Sequence, residues 1–240
     1  MFFPLDPCHS KYASISKIAH SLLVDTILST YGQKQYLLAF WQFQFPPGWG
    51  RIQSPITHLD SYQLQKHARA SIIIPLLLRC LLKEQWVNKS FLQAISQTFS
   101  PQNPVNSIVE VFAAIAKSKS VLAWKAMSVK DRGHLKDVIV KARKGLQQLL
   151  KAAAIAAEEL QPARSQSRSQ LQLHASRSLS PAMSQILVFT SRPIETKKSK
   201  EFRAIKKHPN MHIALHYVEQ LKEYAVPNNC NVFAGEDKHW

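Results

Sequence analysis

Apolar residues recur at three- and four-residue steps along most of the first 160 positions. That is the period of one face of an α-helix. Ile15, Ile18, Ala19, Leu22, Leu23, Ile27 and Leu28 form the first such stripe, and Gly32 reads as its stop signal. Leu59 to Lys83 predicts a long helix with Pro75 inside, where proline should kink it or split it in two. Asn88 to Phe99 and Val105 to Ala126 predict two more, separated by Pro101 and Pro104. The strongest pattern runs from Ser128 to Leu160. There Leu135, Val138, Ile139, Ala142, Leu146, Leu149, Leu150, Ala153 and Ala157 share one face. Ser128 can cap this helix, and Asp131 gives its first turn acidic character.

Tyr36 to Trp49 breaks the helical rhythm with Tyr36, Phe40, Trp41, Phe43, Phe45 and Trp49. This stretch reads as an aromatic plug on the core, and the Phe43/Phe45 alternation also fits a short strand. Pro46-Pro47-Gly48 ends it. With only 6 Gly, and no Asn-Gly or Asp-Gly pair, a turn-rich β architecture is disfavoured. The expected fold is therefore mainly α, a helical bundle with little or no sheet. Composition changes at Gln161. Residues 1–160 form the expected helical domain, and 161–200 a disordered Ser/Gln/Arg/Lys-rich linker too polar to bury much surface. Residues 201–240 form a C-terminal segment with one last helix, Ala214 to Tyr224. Within the linker, Ile186-Leu187-Val188-Phe189 reads as a short strand or a packing anchor.

Charge adds a partner class to this picture. Lys+Arg number 31 against 15 Asp+Glu, a net charge of +16. So basic a chain attracts polyanions, nucleic acid first. On the Ser128–Leu160 helix, Lys130, Lys136, Lys141, Arg143, Lys144 and Lys151 occupy positions off the apolar face. Such a helix can lie on DNA, or it can be a core helix with a solvated basic face. Lys197, Lys198, Lys200, Lys206 and Lys207 add a second basic run, a weak signal for nuclear import or phosphate contact. The expected setting is intracellular, nuclear rather than cytoplasmic. The most apolar stretch, Ser71 to Leu82, is interrupted by Pro75 and Arg79 and is short for a membrane span. The 3 cysteines, Cys8, Cys80 and Cys230, lie far apart, as reduced thiols do.

Catalytic signals are sparse. Neither phosphate-cradling Gly loops nor a Gly-x-Ser-x-Gly elbow occurs. His208, His212 and His216 fall at i, i+4 and i+8, and His212 and His216 have the spacing of a zinc pair, but Pro209 sits inside the run, no Glu follows the first His, and Cys230 is the one cysteine near. The expectation is a chain that is not an enzyme, takes no cofactor and has no identifiable small-molecule substrate.

Several short motifs fall in the order shown by one known family. Asp6-Pro7-Cys8-His9-Ser10 resembles that family's Asp-Pro-Met-His-Asn stretch. Trp49-Gly50-Arg51-Ile52-Gln53-Ser54 resembles its Gly-Arg-Ile-Pro-Ser stretch, and His67 to Pro75 is similar to a family helix with an apolar run and a proline. Pro209-Asn210-Met211-His212 with His216 is close to its Pro-Asn-x-His-x-x-x-His motif. Phe233-Ala234-Gly235-Glu236 sits where the family shows Phe-Glu-Arg. Together these motifs resemble fungal transposase-like proteins of the CACTA type, and the resemblance implies the helical insertion of an RNase H-like transposase with its flanks. Asp6, His9 and Glu236 would be vestigial catalytic residues, and the first two catalytic aspartates would lie upstream of Met1. The implied function is a non-catalytic remnant with weak, sequence-independent DNA binding. The alternative is a helical interaction or scaffold protein unrelated to DNA.

Overall fold

The computed structural model describes residues 15–49, 52–99, 103–122, 126–159 and 197–205. Among these, seven α-helices and no strand are present: α1 Lys17–Leu22, α2 Thr30–Gln42, α3 Leu64–Leu81, α4 Lys89–Thr98, α5 Pro104–Leu122, α6 Val129–Glu159 and α7 Lys197–Ile205. The mainly α expectation holds. The predicted Ala214–Tyr224 helix and the Ile186–Phe189 anchor lie outside the described residues.

The 31-residue α6 is the axis of the bundle. At 1.5 Å per residue it is about 46 Å long. Ser128 and Asp131 cap it reciprocally: the Asp131 amide donates to Ser128 Oγ at 3.2 Å, and the Ser128 amide donates to Asp131 Oδ2 at 3.0 Å. The α4, α5 and α7 helices pack on α6, and α3 packs on α5. Leu146, Leu149, Leu150, Ala153 and Ala156 of α6 enter the main core with Phe91 and Ile95 of α4 and Ile108 and Phe112 of α5. A smaller cluster joins Val121 and Leu122 to Leu135, Val138 and Ile139 near the other end of α6.

The N-terminal stripe starts as α1 and widens into a π-helical turn, Leu23–Ile27. The Leu28 amide reaches back five residues to the Leu23 carbonyl at 2.9 Å. The end of that turn meets a distant segment. Leu28 and Val87 form an antiparallel bridge. The Ser29 amide donates to the Trp86 carbonyl at 2.8 Å, and the Asn88 amide to the Ile27 carbonyl at 2.9 Å. Asn88 Nδ2 then donates to the carbonyls of Thr26 and Leu28, at 2.6 and 3.1 Å. These are carbonyls that a helix end leaves without intrahelical donors. Replacing Asn88 with alanine would leave both partly buried carbonyls without this donor. The expected cost is about 2 kcal/mol, read as a lower urea midpoint at unchanged slope.

Two sequence expectations are corrected, and two open alternatives are narrowed. Gly32 does not stop a helix. It lies in the first turn of α2, where Ser29 caps the helix by accepting from the Gly32 amide at 3.1 Å. Phe43 and Phe45 form no strand, because no described segment pairs with them. Their rings pack at 5.4 Å between centroids, and Phe45 meets Phe40 at 5.8 Å. Proline does not split α3, which runs through Pro75 with Ile73, Ile74, Leu77 and Leu78 buried on both sides of it. Finally, a linker drawn from 161 to 200 overlaps α7, which begins at Lys197. Burial of Ser199 and packing of Phe202 and Ile205 against the main core hold that helix in place.

Candidate nucleic-acid interface

The packing of α6 fixes which of its cations reach solvent. Its apolar face is covered by α4, α5 and α7, so the opposite face is free of the core. Lys130, Lys136, Lys141, Lys144 and Lys151 are all exposed there. Lys141, Lys144, Gln148 and Lys151 follow steps of three, four and three, which aligns them in one row on a helix. From Lys130 to Lys151 the basic face extends roughly 31 Å. Arg143 departs from the pattern. It is only 5% exposed, on the shoulder of the packed face between Ala142 and Leu146, and does not belong to the solvent row.

The second basic run joins α6 from far along the chain. On α7, Lys197, Lys198 and Lys200 are exposed, while Ser199 is fully buried. Glu158 of α6 is the anchor, accepting from Ser199 Oγ and from an Arg203 guanidinium nitrogen, each at 2.6 Å. Lys198 also favours the charged form of Asp25, although burial leaves the Asp25 carboxyl above its ordinary range. Cations from residues 130–151 and 197–200 are thus carried by two helices in contact.

The α5–α6 groove is less uniform. Two adjoining cavities, of 410 and 520 Å³, share Glu110, Ala114, Asp137 and Lys141 in their linings. Acid and base alternate there, which tempers attraction to a polyanion at this edge of the face.

Sequence reasoning did not find a buried polar cluster between α1, α2 and α3. His20 is 1% exposed, and its Nε2 is 2.9 Å from the Tyr36 hydroxyl. Its ring also meets Tyr62 edge-on at 6.3 Å, and Tyr62 meets His67 at 5.4 Å. Neither His20 Nδ1 nor His67 Nδ1 nor Ser16 Oγ has a hydrogen-bond partner among the described residues. Burial, with the neighbouring His67, pushes the His20 imidazole down to about 3. Burial pushes His67 down to about 4, helped by Lys17 and Lys119 and opposed by Asp60. Burial raises the Tyr36 hydroxyl well above its ordinary range. Both imidazoles are therefore neutral at pH 7. Nearby, the buried Lys119 of α5 donates to the Ala68 carbonyl and, at 2.5 Å, to Ser71 Oγ, tying α5 to α3. The cluster is an internal tie between helices that cannot touch a macromolecular ligand.

No three His, Cys, Asp or Glu side chains come together as a metal site among the described residues. No described helix is long and apolar enough to cross a membrane. Asp6, His9, Lys206, Lys207, His212, His216 and Glu236 lie outside the described residues. Neither a family model, nor a curated protein, nor a solved structure matches this chain.

Proposed function

We propose that this chain is a non-catalytic, sequence-independent DNA-binding protein derived from a CACTA-type transposase, acting in the nucleus. The observation that carries the DNA reading is the row Lys141, Lys144 and Lys151 on the solvent face of α6, with α7 and its three exposed lysines docked on the same helix. Lysines in such a row meet phosphates as point charges, which positions a duplex without reading its bases. The short motifs around Asp6, Gly50 and His212 support the transposase ancestry, and with it the absence of a complete acidic site.

Salt dependence tests this reading. Binding to duplex DNA should weaken with salt along a log–log slope of about −3 or steeper, since each neutralised phosphate contributes about 0.9. Changing Lys141, Lys144 and Lys151 together to glutamine should flatten the slope by about one unit per lysine, equally for unrelated duplex sequences. Binding that ignores salt, or is absent even at low salt, would remove DNA from the account.

One observation favours the second reading, a helical interaction protein. Tyr31, Leu38 and Trp41 share a stripe on α2 and stand 50%, 47% and 48% exposed. Loss of self-association or partner capture on Trp41→Ser, with DNA affinity unchanged, would support that reading over the first.

A further inference from the structure

The contact between α7 and α6 has the properties of a modifiable latch. The described part of α7 is strongly basic, and most helical stability in proteins comes from packing of the buried face rather than from propensity. Its helical state depends on docking. Three residues at i, i+3 and i+6 make the docked face: Ser199, Phe202 and Ile205. Phe202 and Ile205 supply apolar contact, and Ser199 supplies a hydrogen bond to Glu158 at 2.6 Å. Arg203 grips the same carboxylate oxygen. Immediately around Ser199, Lys197, Lys198 and Lys200 face solvent. A hydroxyl set among exposed lysines is the pattern that an enzyme with an acidic substrate groove selects by charge.

We propose that Ser199 is a phosphorylation site for a protein kinase that favours basic flanks, and that the phosphate undocks α7 from α6. In the reaction, Ser199 Oγ bonds to the γ-phosphorus of a magnesium-bound nucleoside triphosphate. The bond from that phosphorus to the β,γ-bridging oxygen breaks. The nucleoside diphosphate leaves, and the hydroxyl proton passes to the kinase's base. Access comes from opening of the short helix, since local opening exposes residues that the docked state buries. The fully buried position has no space for a phosphate group, and the carboxylate it would meet is an anion. A phosphate adds nearly two negative charges and repels Glu158. Arg203 is an alternative partner for it, but only once Ser199 has left the interface. Release also separates Lys198 from Asp25 and removes three lysines from the surface of α6.

The test compares full-length Ser199→Ala and Ser199→Glu with the unchanged chain by hydrogen exchange. In Ser199→Ala, α7 loses the hydrogen bond to Glu158 but gains no charge, and should keep most of its protection. In Ser199→Glu, amides 200–205 should exchange at least about tenfold faster, while α4 and α5 stay protected. Equal exchange in the two variants would overturn the undocking. Incubation of the full chain with magnesium ATP and a kinase of this preference should place a phosphate on Ser199, located by peptide mass spectrometry, with the same rise in exchange. No phosphate there, or a phosphorylated chain with α7 still protected, would overturn the proposal. The readout does not involve DNA, so it stands apart from the fate of the DNA-binding reading.

Discussion

Replacing Gly32 with alanine is expected to cost about 3 kcal/mol, the upper end of the usual range for overpacking. A Cβ at this position would fall 2.0 Å from the Trp86 carbonyl oxygen, 2.8 Å from its carbon and 2.9 Å from the Trp86 Cα. All three are backbone atoms, so no rotamer change relieves the clash. The Trp86 carbonyl is also fixed by the Ser29 amide at 2.8 Å and by the Ser29 hydroxyl at 3.0 Å. To admit the methyl group, the chain must break these bonds or move α2. Gly133 gives the matched control. It is exposed in α6, and nothing lies within 4 Å of its ideal Cβ. There the same substitution should stabilise by about 0.5–1 kcal/mol, because alanine is the better helix former. Urea unfolding of the two variants should move in opposite directions. A Gly32→Ala protein as stable as its parent would show that the α2–Trp86 contact is absent in solution.

The second large effect is acid destabilisation. His20 and His67 fold as neutral groups at about 3 and about 4. In the unfolded chain both return to about 6.5. Between these values the unfolded state binds more protons than the native state, so stability rises with pH. It is full above about pH 6.5 and is lost as pH falls toward 4. Each histidine contributes about 1.4 kcal/mol per pH unit, and the pair about 4 kcal/mol by pH 5. Asp131, held below its ordinary range by Ser128, adds its loss only below about pH 4. Urea midpoints at pH 7 and pH 5 measure the effect. A His20→Gln/His67→Gln variant should lose most of the difference. The same pH difference in that variant would place the sensitivity elsewhere.

The sequence made the helices legible because their apolar faces are long and regular. The Leu135-to-Ala157 stripe placed α6 within a residue or two, and Ser128 caps it as expected, with Asp131 returning a hydrogen bond that the first-turn acid alone did not announce. Gly32 was misread for a physical reason. A helix stop and a close backbone approach both call for a missing Cβ, and only the distant Trp86 decides between them. Phe43 and Phe45 alternate as strand residues do, yet alternation gives a strand only when another backbone offers its hydrogen bonds. Among the candidate DNA contacts, five α6 lysines lie on the solvent face. The guanidinium-bearing Arg143 does not, because a helix shoulder is buried or open according to what packs beside it. The His20–Tyr36–Tyr62–His67 cluster left no local trace, since its members come from α1, α2, α3 and the segment before α3. The start of α7 was hidden for the same reason, its partner Glu158 being 41 residues earlier.

The seam between Ser29 and Trp86 has a consequence for a chain made from its N-terminus onward. Ser29 and Trp86 are 57 residues apart, and α2 and α3 both lie between them. Until Trp86 has been synthesised, Gly32 is simply a poor helix former, costing about 1 kcal/mol relative to alanine. Asn88, which covers the carbonyls of Thr26 and Leu28, arrives later still. The nascent α1–α2 segment therefore carries a local penalty without its tertiary compensation, and its end stays solvated while α3 is added. The first helices to emerge are in this sense completed by residues translated well after them.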